Sequence, residues 1–148
     1  MEIKEVKRNK KQYLSLLLLA DEQENMVDRY LEHGTMYVLD DKGIKAECVV
    51  TDEGNGILEI KNIATDPDSQ RRGYGKALID FISSKYQGKY SVLQAGTGDS
   101  PLTVPFYEKC GFSRSHVVEN FFTENYDHPI YEVGIQLKDM VYLRKKLV

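Results

Sequence analysis

The chain passes from strand to helix through Gln70-Arg71-Arg72-Gly73-Tyr74-Gly75. Before this loop stands the run Ile57-Leu58-Glu59-Ile60-Lys61-Asn62-Ile63-Ala64, which has strand character. After it, the segment from Gly73 to Tyr86 carries Tyr74, Ala77, Leu78, Phe81 and Ile82 at helical spacing and closes at Gly88. At such a junction the first backbone N–H groups lack intrahelical partners and the helix end is positive, so an anion is favoured, phosphate above all. Glycine at 73 and 75 removes the Cβ atoms that would keep phosphate oxygens off the backbone, and Arg71, Arg72 and Lys76 add charge beside it. The same residues also fit a plain helix start with a solvated basic cluster. Taken alone, the loop does not choose between the two.

Upstream, a short strand over Ile3 to Val6 precedes a leucine-dense helix from Tyr13 to Ala20, expected to be buried on much of its surface. Asp21 caps a second helix whose Met26, Val27, Tyr30 and Leu31 share one face, and His33-Gly34 stops it. Met36 to Leu39, a turn over Asp40 to Gly43, and Ile44 to Thr51 with Ala46, Cys48 and Val50 on one face form a hairpin pattern. A turn over Glu53 to Gly56 then adds the run from Ile57, giving three antiparallel strands in succession. Downstream, Tyr90 to Ala95 is strand-like, so a strand, a helix and a strand form a crossover. A helix is expected over Leu102 to Lys109, stopped at Gly111, with late strands over Ser115 to Phe122 and Met140 to Leu147. Thr123 to Pro129 is polar and aromatic enough to suggest a functional loop, with Asp127 available to draw a cation.

The length of 148 residues, 41% of them apolar, suits one domain spanning 1–148. A formal net charge of -3 with 29% charged residues gives no overall basic field for nucleic acid or an anionic membrane, so an anionic ligand must be held locally. The N-terminus alternates apolar and charged residues with no signal or membrane-spanning run, which points to the cytoplasm. Cys48 and Cys110 are far apart and read as small buried residues rather than a disulfide or a catalytic thiol. His33, His116 and His128 lack metal-ligand spacing, so no metal is expected.

Two familiar phosphate motifs fail on specific residues. A P-loop would need glycine where Gln70 stands and a hydroxyl where Ala77 stands; a dinucleotide fingerprint would need a third glycine where Leu78 stands. Gln70, Gly73 and Gly75 do satisfy the Gln/Arg-x-x-Gly-x-Gly/Ala signature of the GNAT superfamily of N-acetyltransferases. The downstream run Phe106-Tyr107-Glu108-Lys109-Cys110-Gly111-Phe112 resembles that family's aromatic-Tyr-x-Lys-x-Gly-Phe segment. The resemblance covers nearly the whole chain. It implies a mixed α/β fold with a largely antiparallel central sheet of about six to seven strands, about four flanking helices, and a fourth and fifth strand that splay apart. It also implies acetyl-CoA as cosubstrate, with the pantetheine arm pairing with backbone at Ile63, Ala64 and Thr65 and the phosphates lying on Gln70, Arg71, Arg72, Gly73, Tyr74, Gly75 and Lys76. Lys109 belongs to the second motif and is carried with the cofactor site. Asp99 stands where the family often has an asparagine that contacts the cofactor; it cannot donate an amide hydrogen bond but can accept one. A homodimer is within what the resemblance allows.

Acetyl transfer to an amine requires a neutral nucleophile, a donor for the thioester oxyanion and a proton for the leaving thiolate. Deprotonating a lysine-type amine at pH 7 costs ~4.6 kcal/mol, so a base helps. Glu59 lies at the position where several family members carry a working glutamate, and it reads equally as a surface residue paired with Lys61, since alternation puts Glu59, Lys61 and Ile63 on one face. Tyr107 matches the family tyrosine that protonates the departing thiolate; the bland reading is a core tyrosine. The backbone N–H of Ile63 or a neighbour is the implied oxyanion donor. The expected activity is direct acetylation of a primary amine on a small molecule or peptide. A non-catalytic acyl-CoA-binding sensor is the rival, since it would need the loop but neither Glu59 nor Tyr107.

Overall fold

The computed structural model describes residues 1–147. The elements are β1 (Glu2–Val6), a 3-10 turn (Lys10–Tyr13), α1 (Leu14–Ala20), α2 (Glu24–Val27), β2 (Thr35–Asp40), β3 (Ile44–Asp52), β4 (Ile57–Thr65), a 3-10 turn (Pro67–Ser69) and α3 (Tyr74–Tyr86). They continue with β5 (Val92–Gly98), α4 (Val104–Lys109), β6 (Ser113–Val118), α5 (Phe121–Asn125), β7 (Tyr131–Glu132), β8 (Ile135–Gln136) and β9 (Met140–Lys146). Seven strands form one sheet in the order β1-β2-β3-β4-β5-β9-β6, and β7 and β8 make a separate short hairpin. Turns join β2 to β3 and β3 to β4, so these pairs are antiparallel, whereas β4 reaches β5 through α3 and pairs with it in parallel.

The parallel ladder is short. It runs from Ile57 opposite Val92 to Ile60 opposite Ala95 and ends there, while β4 stays paired with β3 as far as Thr65 opposite Ala46. Beyond Ile60 and Ala95, β4 and β5 part, as the splayed pair expected from the resemblance.

Each face of the sheet has its own core. Tyr37, Cys48, Ile60, Leu93 and Leu143 pack with Leu78, Ile79 and Ile82 of α3 and with Val104 and Tyr107 of α4. On the other face Met36, Val38 and Val49 pack with Leu17 of α1, Val27 of α2 and Tyr30 and Leu31 beyond it. On this second face α1 lies against β4 and β3, while Phe122, Ile130 and Leu137 of the late segment pack with Met140 of β9 and against Gly98 of β5.

Several expectations need correction. The leucine run is not buried on much of its surface: Leu17 alone in α1 is buried, and Leu19 is 53% exposed, because a seven-residue helix lying on one sheet offers a single inward stripe. The second helix stops at Val27; Tyr30 and Leu31 are buried as expected, from a hydrogen-bonded turn that ends with Gly34 N donating to Tyr30 O. Phe121 and Phe122 do not extend a strand. Asn120 adopts a left-handed φ of 57°, ends β6 and starts α5, and Asn120 N donates to Asp139. Alternation along β4 also breaks: Val49 faces Asn62 but Val50 faces Ile60, so Lys61 is an extra residue, a β-bulge. Glu59 is therefore on the α1 face with Asn62 and Ala64, while Ile63 rejoins Leu58 and Ile60 on the α3 face.

Candidate active site

The loop and the two motifs converge at one end of the β4–β5 gap. Gly73 caps α3 with a φ of 81°, a left-handed conformation that glycine adopts without penalty, and a Cβ there would meet nothing within 4 Å, so the backbone is open to a ligand. Arg71 is also left-handed, at φ 66°, which turns the chain so that Arg71 and Arg72 stay exposed. Gly75 serves another purpose. A Cβ there would lie 3.0 Å from Phe106 Cζ and 3.9 Å from Thr65 Oγ1, so glycine lets the start of α3 lie close against Phe106 of α4, and an alanine would require the Phe106 ring to give by a few tenths of an ångström.

Other residues expected around the cofactor divide by what their side chains do. Gln70 is exposed beside the loop. Tyr74 is buried and its hydroxyl donates to Asp41 Oδ2 at 2.6 Å, tying the loop to the β2–β3 turn and leaving its backbone for a ligand. Lys76 lies on the exposed side of α3, 2.8 Å from Asp80. Lys109 is exposed at the last turn of α4. Asp99 is exposed just past β5 and pairs with Arg114 at 3.2 Å. Ile63, Ala64 and Thr65 lie on the part of β4 that has left β5.

Tyr107 and Glu59 lie on opposite faces of the sheet. Tyr107, 6% exposed, belongs to the α3-side core, with its ring edge-on to Phe106 and Phe112 at centroid distances of 5.3 and 5.4 Å. Burial, then the nearby Cys48, Cys110 and Glu47, push its phenol pKa well above the usual value, so it keeps its proton. Glu59, 5% exposed, is on the α1-side face. Lys61 Nζ sits 2.8 Å from its Oε2, and Gln94 Nε2 donates to its Oε1 at 2.6 Å; Arg144 Nε in turn donates to Gln94 Oε1 at 2.7 Å. A carboxylate has about four acceptor sites, so both oxygens keep capacity for a substrate or a water. The paired surface glutamate of the simpler reading is thus paired but not at the surface.

The same face carries polar groups that local sequence did not single out. Tyr142, stacked on His116 at 4.7 Å, has its pKa pushed up to about 12 by burial first and then by the charges of Glu59 and Glu53. Asn62 Nδ2 donates to Leu17 O at 2.9 Å and to Tyr30 Oη at 3.0 Å. Asp21 does not cap α2 as expected, since Gln23 holds the N-cap position; its carboxylate instead accepts from Tyr30 Oη at 3.0 Å and from Tyr126 Oη at 2.6 Å. This chain links β4 to the late segment, whose expected functional loop thereby docks on the α1–α2 connection. His128 adds a second tie, with Nε2 at 2.9 Å from Glu22 and Nδ1 at 2.5 Å from Asp127. A cleft of about 220 Å³ opens beside them, bounded by Phe122, Tyr126, His128, Ile130 and Leu137. Two glycines of β5 make room on this face: Gly98 has Leu137 of the late segment where its Cβ would be, and Gly96 has Tyr142 of β9.

Known proteins agree with this arrangement. A family model described as the GNAT acetyltransferase domain matches residues 32–114. The chain is 37% identical over 131 residues to the uncharacterized N-acetyltransferase YvbK of Bacillus subtilis, covering 86% of this chain and 84% of that one. A GNAT family acetyltransferase from Elizabethkingia anophelis, solved with acetyl-CoA bound, superposes with a TM-score of 0.91 at 33% identity over 98% of this chain and 97% of that one. A Bacillus subtilis acetyltransferase in complex with CoA superposes with a TM-score of 0.89 at 33% identity over 99% of each chain. With the signature loop, the splayed strands and these matches together, the chain belongs to the GNAT acetyltransferases and is an N-acetyltransferase.

Proposed function

We propose that this enzyme transfers an acetyl group directly from acetyl-CoA to a primary amine of a small molecule or peptide, with Glu59 as base and Tyr107 as proton donor. One observation carries the reading: Glu59 stands on the α1 face one register before the parallel ladder ends, and Tyr107 packs in the core on the opposite, α3 face. A thioester lying in that gap meets the amine from the α1 face and releases thiolate toward the α3 face. The structures of relatives that hold acetyl-CoA or CoA support the cosubstrate.

In this reading the pyrophosphate lies on the backbone N–H groups at Gly73 to Gly75, flanked by Arg71 and Arg72. The pantetheine amide takes the place of β5 along Ile63 to Thr65, where β4 has an unpaired edge. Backbone N–H near the Lys61 bulge points at the thioester oxygen and stabilises its developing charge. Glu59, directly or through a water, removes the proton from the attacking amine. As the tetrahedral intermediate collapses, the C–S bond breaks and Tyr107 gives its proton to sulfur. Burial makes the phenol a weaker acid than an ordinary tyrosine, so the transfer waits for charge to develop on sulfur.

The amine enters over Tyr142 and the late segment. Glu59 and Glu53, whose charges act on Tyr142, are the carboxylates on that side, and both lie near Lys61. Comparing Tyr107→Phe with wild type tests the donor role: kcat should fall by about 10²-fold with acetyl-CoA affinity nearly unchanged. Unimpaired turnover would remove Tyr107 from the mechanism. A pH profile of Glu59→Gln tests the base: the rise in rate with pH should be lost along with most of kcat.

A further inference from the structure

Glu47 lies in the middle of β3 and is completely buried, with neither carboxylate oxygen hydrogen-bonded. The other buried side-chain oxygen without a partner among the described residues is Asn62 Oδ1. These atoms belong together. Glu47 is opposite Ala64 and Val49 is opposite Asn62, so Glu47 and Asn62 are diagonal neighbours on the α1 face of β3 and β4, a separation that a long side chain spans. Tyr30, which accepts from Asn62, also feels the charge of Glu47.

Three acceptors and no donor cannot satisfy one another while Glu47 is ionised. One proton changes the balance, because a neutral carboxyl has an O–H to donate. Asn62 offers a fixed target: both amide hydrogens are used, on Leu17 O and Tyr30 Oη, so Oδ1 is the oxygen left to accept.

We propose that Glu47 is a positioning residue for acetyl transfer, held as the neutral acid so that its proton bonds Asn62 Oδ1 and pins β4 at the bulge. Asn62 directly follows the extra residue Lys61 and directly precedes Ile63, between the bulge and the stretch read above as the pantetheine partner. Fixing it on Leu17, Tyr30 and Glu47 fixes the direction of the backbone N–H groups that face the thioester. The inference rests on that reading of the site for its kinetic consequence only; the protonation state stands apart from it.

The surroundings supply no counter-charge. Among the described residues, the groups that feel the charge of Glu47 are Tyr30 on the α1 side, Cys48 on its own strand and Tyr107 beyond the sheet; the neighbouring strands add Tyr37 and Asp40 on β2 and Glu59 and Lys61 on β4. Lys61 is committed to Glu59. Burial is the single cause that raises the Glu47 pKa, with no cation to offset it.

Two variants separate the possibilities. Glu47→Gln keeps the shape and supplies an N–H donor; Glu47→Met keeps the volume and supplies none. The expected result is that Glu47→Gln retains kcat within about twofold, while Glu47→Met loses about five- to tenfold in kcat with little change in the KM for acetyl-CoA, as for one lost hydrogen bond. Thermal unfolding across pH reads the protonation itself. A carboxyl whose folded pKa is raised contributes most at low pH, and its contribution is lost as pH rises from the unfolded value toward the folded one. The Tm of Glu47→Gln minus that of wild type should therefore increase from pH 5 to pH 9. An infrared band of a protonated carboxyl at neutral pH, absent in Glu47→Gln, gives the same answer if Glu47→Met fails to fold. Parallel Tm curves and no such band overturn the neutral acid. Loss of kcat in Glu47→Gln equal to that in Glu47→Met overturns the positioning role, and a rise confined to the amine KM in Glu47→Gln makes Glu47 an anionic ammonium site instead. Should no amine be acetylated at all, the Tm and infrared results still decide the protonation state, so the two failures are distinguishable.

Discussion

Gln94 grips Glu59 from the neighbouring strand: its Nε2 donates to Glu59 Oε1 at 2.6 Å while its own Oε1 accepts from Arg144 Nε at 2.7 Å. The pair sits in the last register of the parallel ladder but one, Glu59 opposite Gln94, just before β4 and β5 separate. The strands are thus locked by side chains where the backbone ladder is about to end. Replacing Gln94 by Leu strands both the buried carboxylate and Arg144, with an expected loss of about 1–3 kcal/mol in stability. Chemical denaturation measures that loss, and kcat should fall along with it because Glu59 is no longer held in one orientation. A stable variant with wild-type kcat would show that Lys61 alone fixes Glu59.

Gly73→Ala separates strain from ligand contact. At φ 81° an alanine costs about 1 kcal/mol, although its Cβ meets nothing within 4 Å in the protein itself. The stability change should therefore be modest. If phosphate occupies that open space, the KM for acetyl-CoA should rise by about tenfold or more, which a loss of about 1 kcal/mol in folding stability does not cause in an enzyme that stays folded. Equal small effects on both would remove the phosphate from Gly73.

His128 makes the docking of the late segment pH-dependent. Both ring nitrogens lie against carboxylates, Nδ1 on Asp127 and Nε2 on Glu22, an arrangement that needs both nitrogens protonated. Hydrogen bonds donated to Asp127 first and to Glu22 second raise its pKa above the ordinary histidine value. A raised folded pKa means that the contribution is fully present below the unfolded value near ~6.5 and is lost as pH rises through the folded value. The groups are exposed, so the effect on stability is small. Its clearest sign is an NMR titration of His128 above the ordinary value, returning toward it in Glu22→Gln. A wild-type titration at or below the ordinary value would contradict the two-carboxylate clamp.

The elements nearest the cofactor loop were legible because local residues specify them. Alternation in β4, the glycines at 73 and 75 and the helical spacing from Tyr74 to Ile82 need no distant partner to be read. The bulge at Lys61 was not, because it arises from slippage against Val49 and Val50 on β3, and nothing in the residues from Glu59 to Ile63 marks it. For the same reason Ile63 was assigned to the face of Glu59. Phe121 and Phe122 follow Val117 and Val118 and so extend a β-like run in sequence; the left-handed turn at Asn120 that starts a helix is fixed by Asp139, nineteen residues on. Glu47 drew no notice since alternation in β3 put it opposite Ala46 and Cys48, on what reads as a polar face. Only the packing of α1 makes that face an interior. Gln94 and Arg144 came into the site by the β4–β5–β9 strand order, which brings together residues far apart in the chain.

Amine acetylation across the gap between β4 and β5 is measured by thiol release from acetyl-CoA. The assay takes wild type, Glu59→Gln and Tyr107→Phe over a panel of polyamines, amino acids, aminoglycosides and peptide N-termini. Thiol release should depend on at least one of these amines in the wild type and fall by about 10²-fold or more in each variant, with acetyl-CoA still bound. Acetyl-CoA binding with no amine-dependent release anywhere in the panel, or release that both variants leave intact, would contradict it.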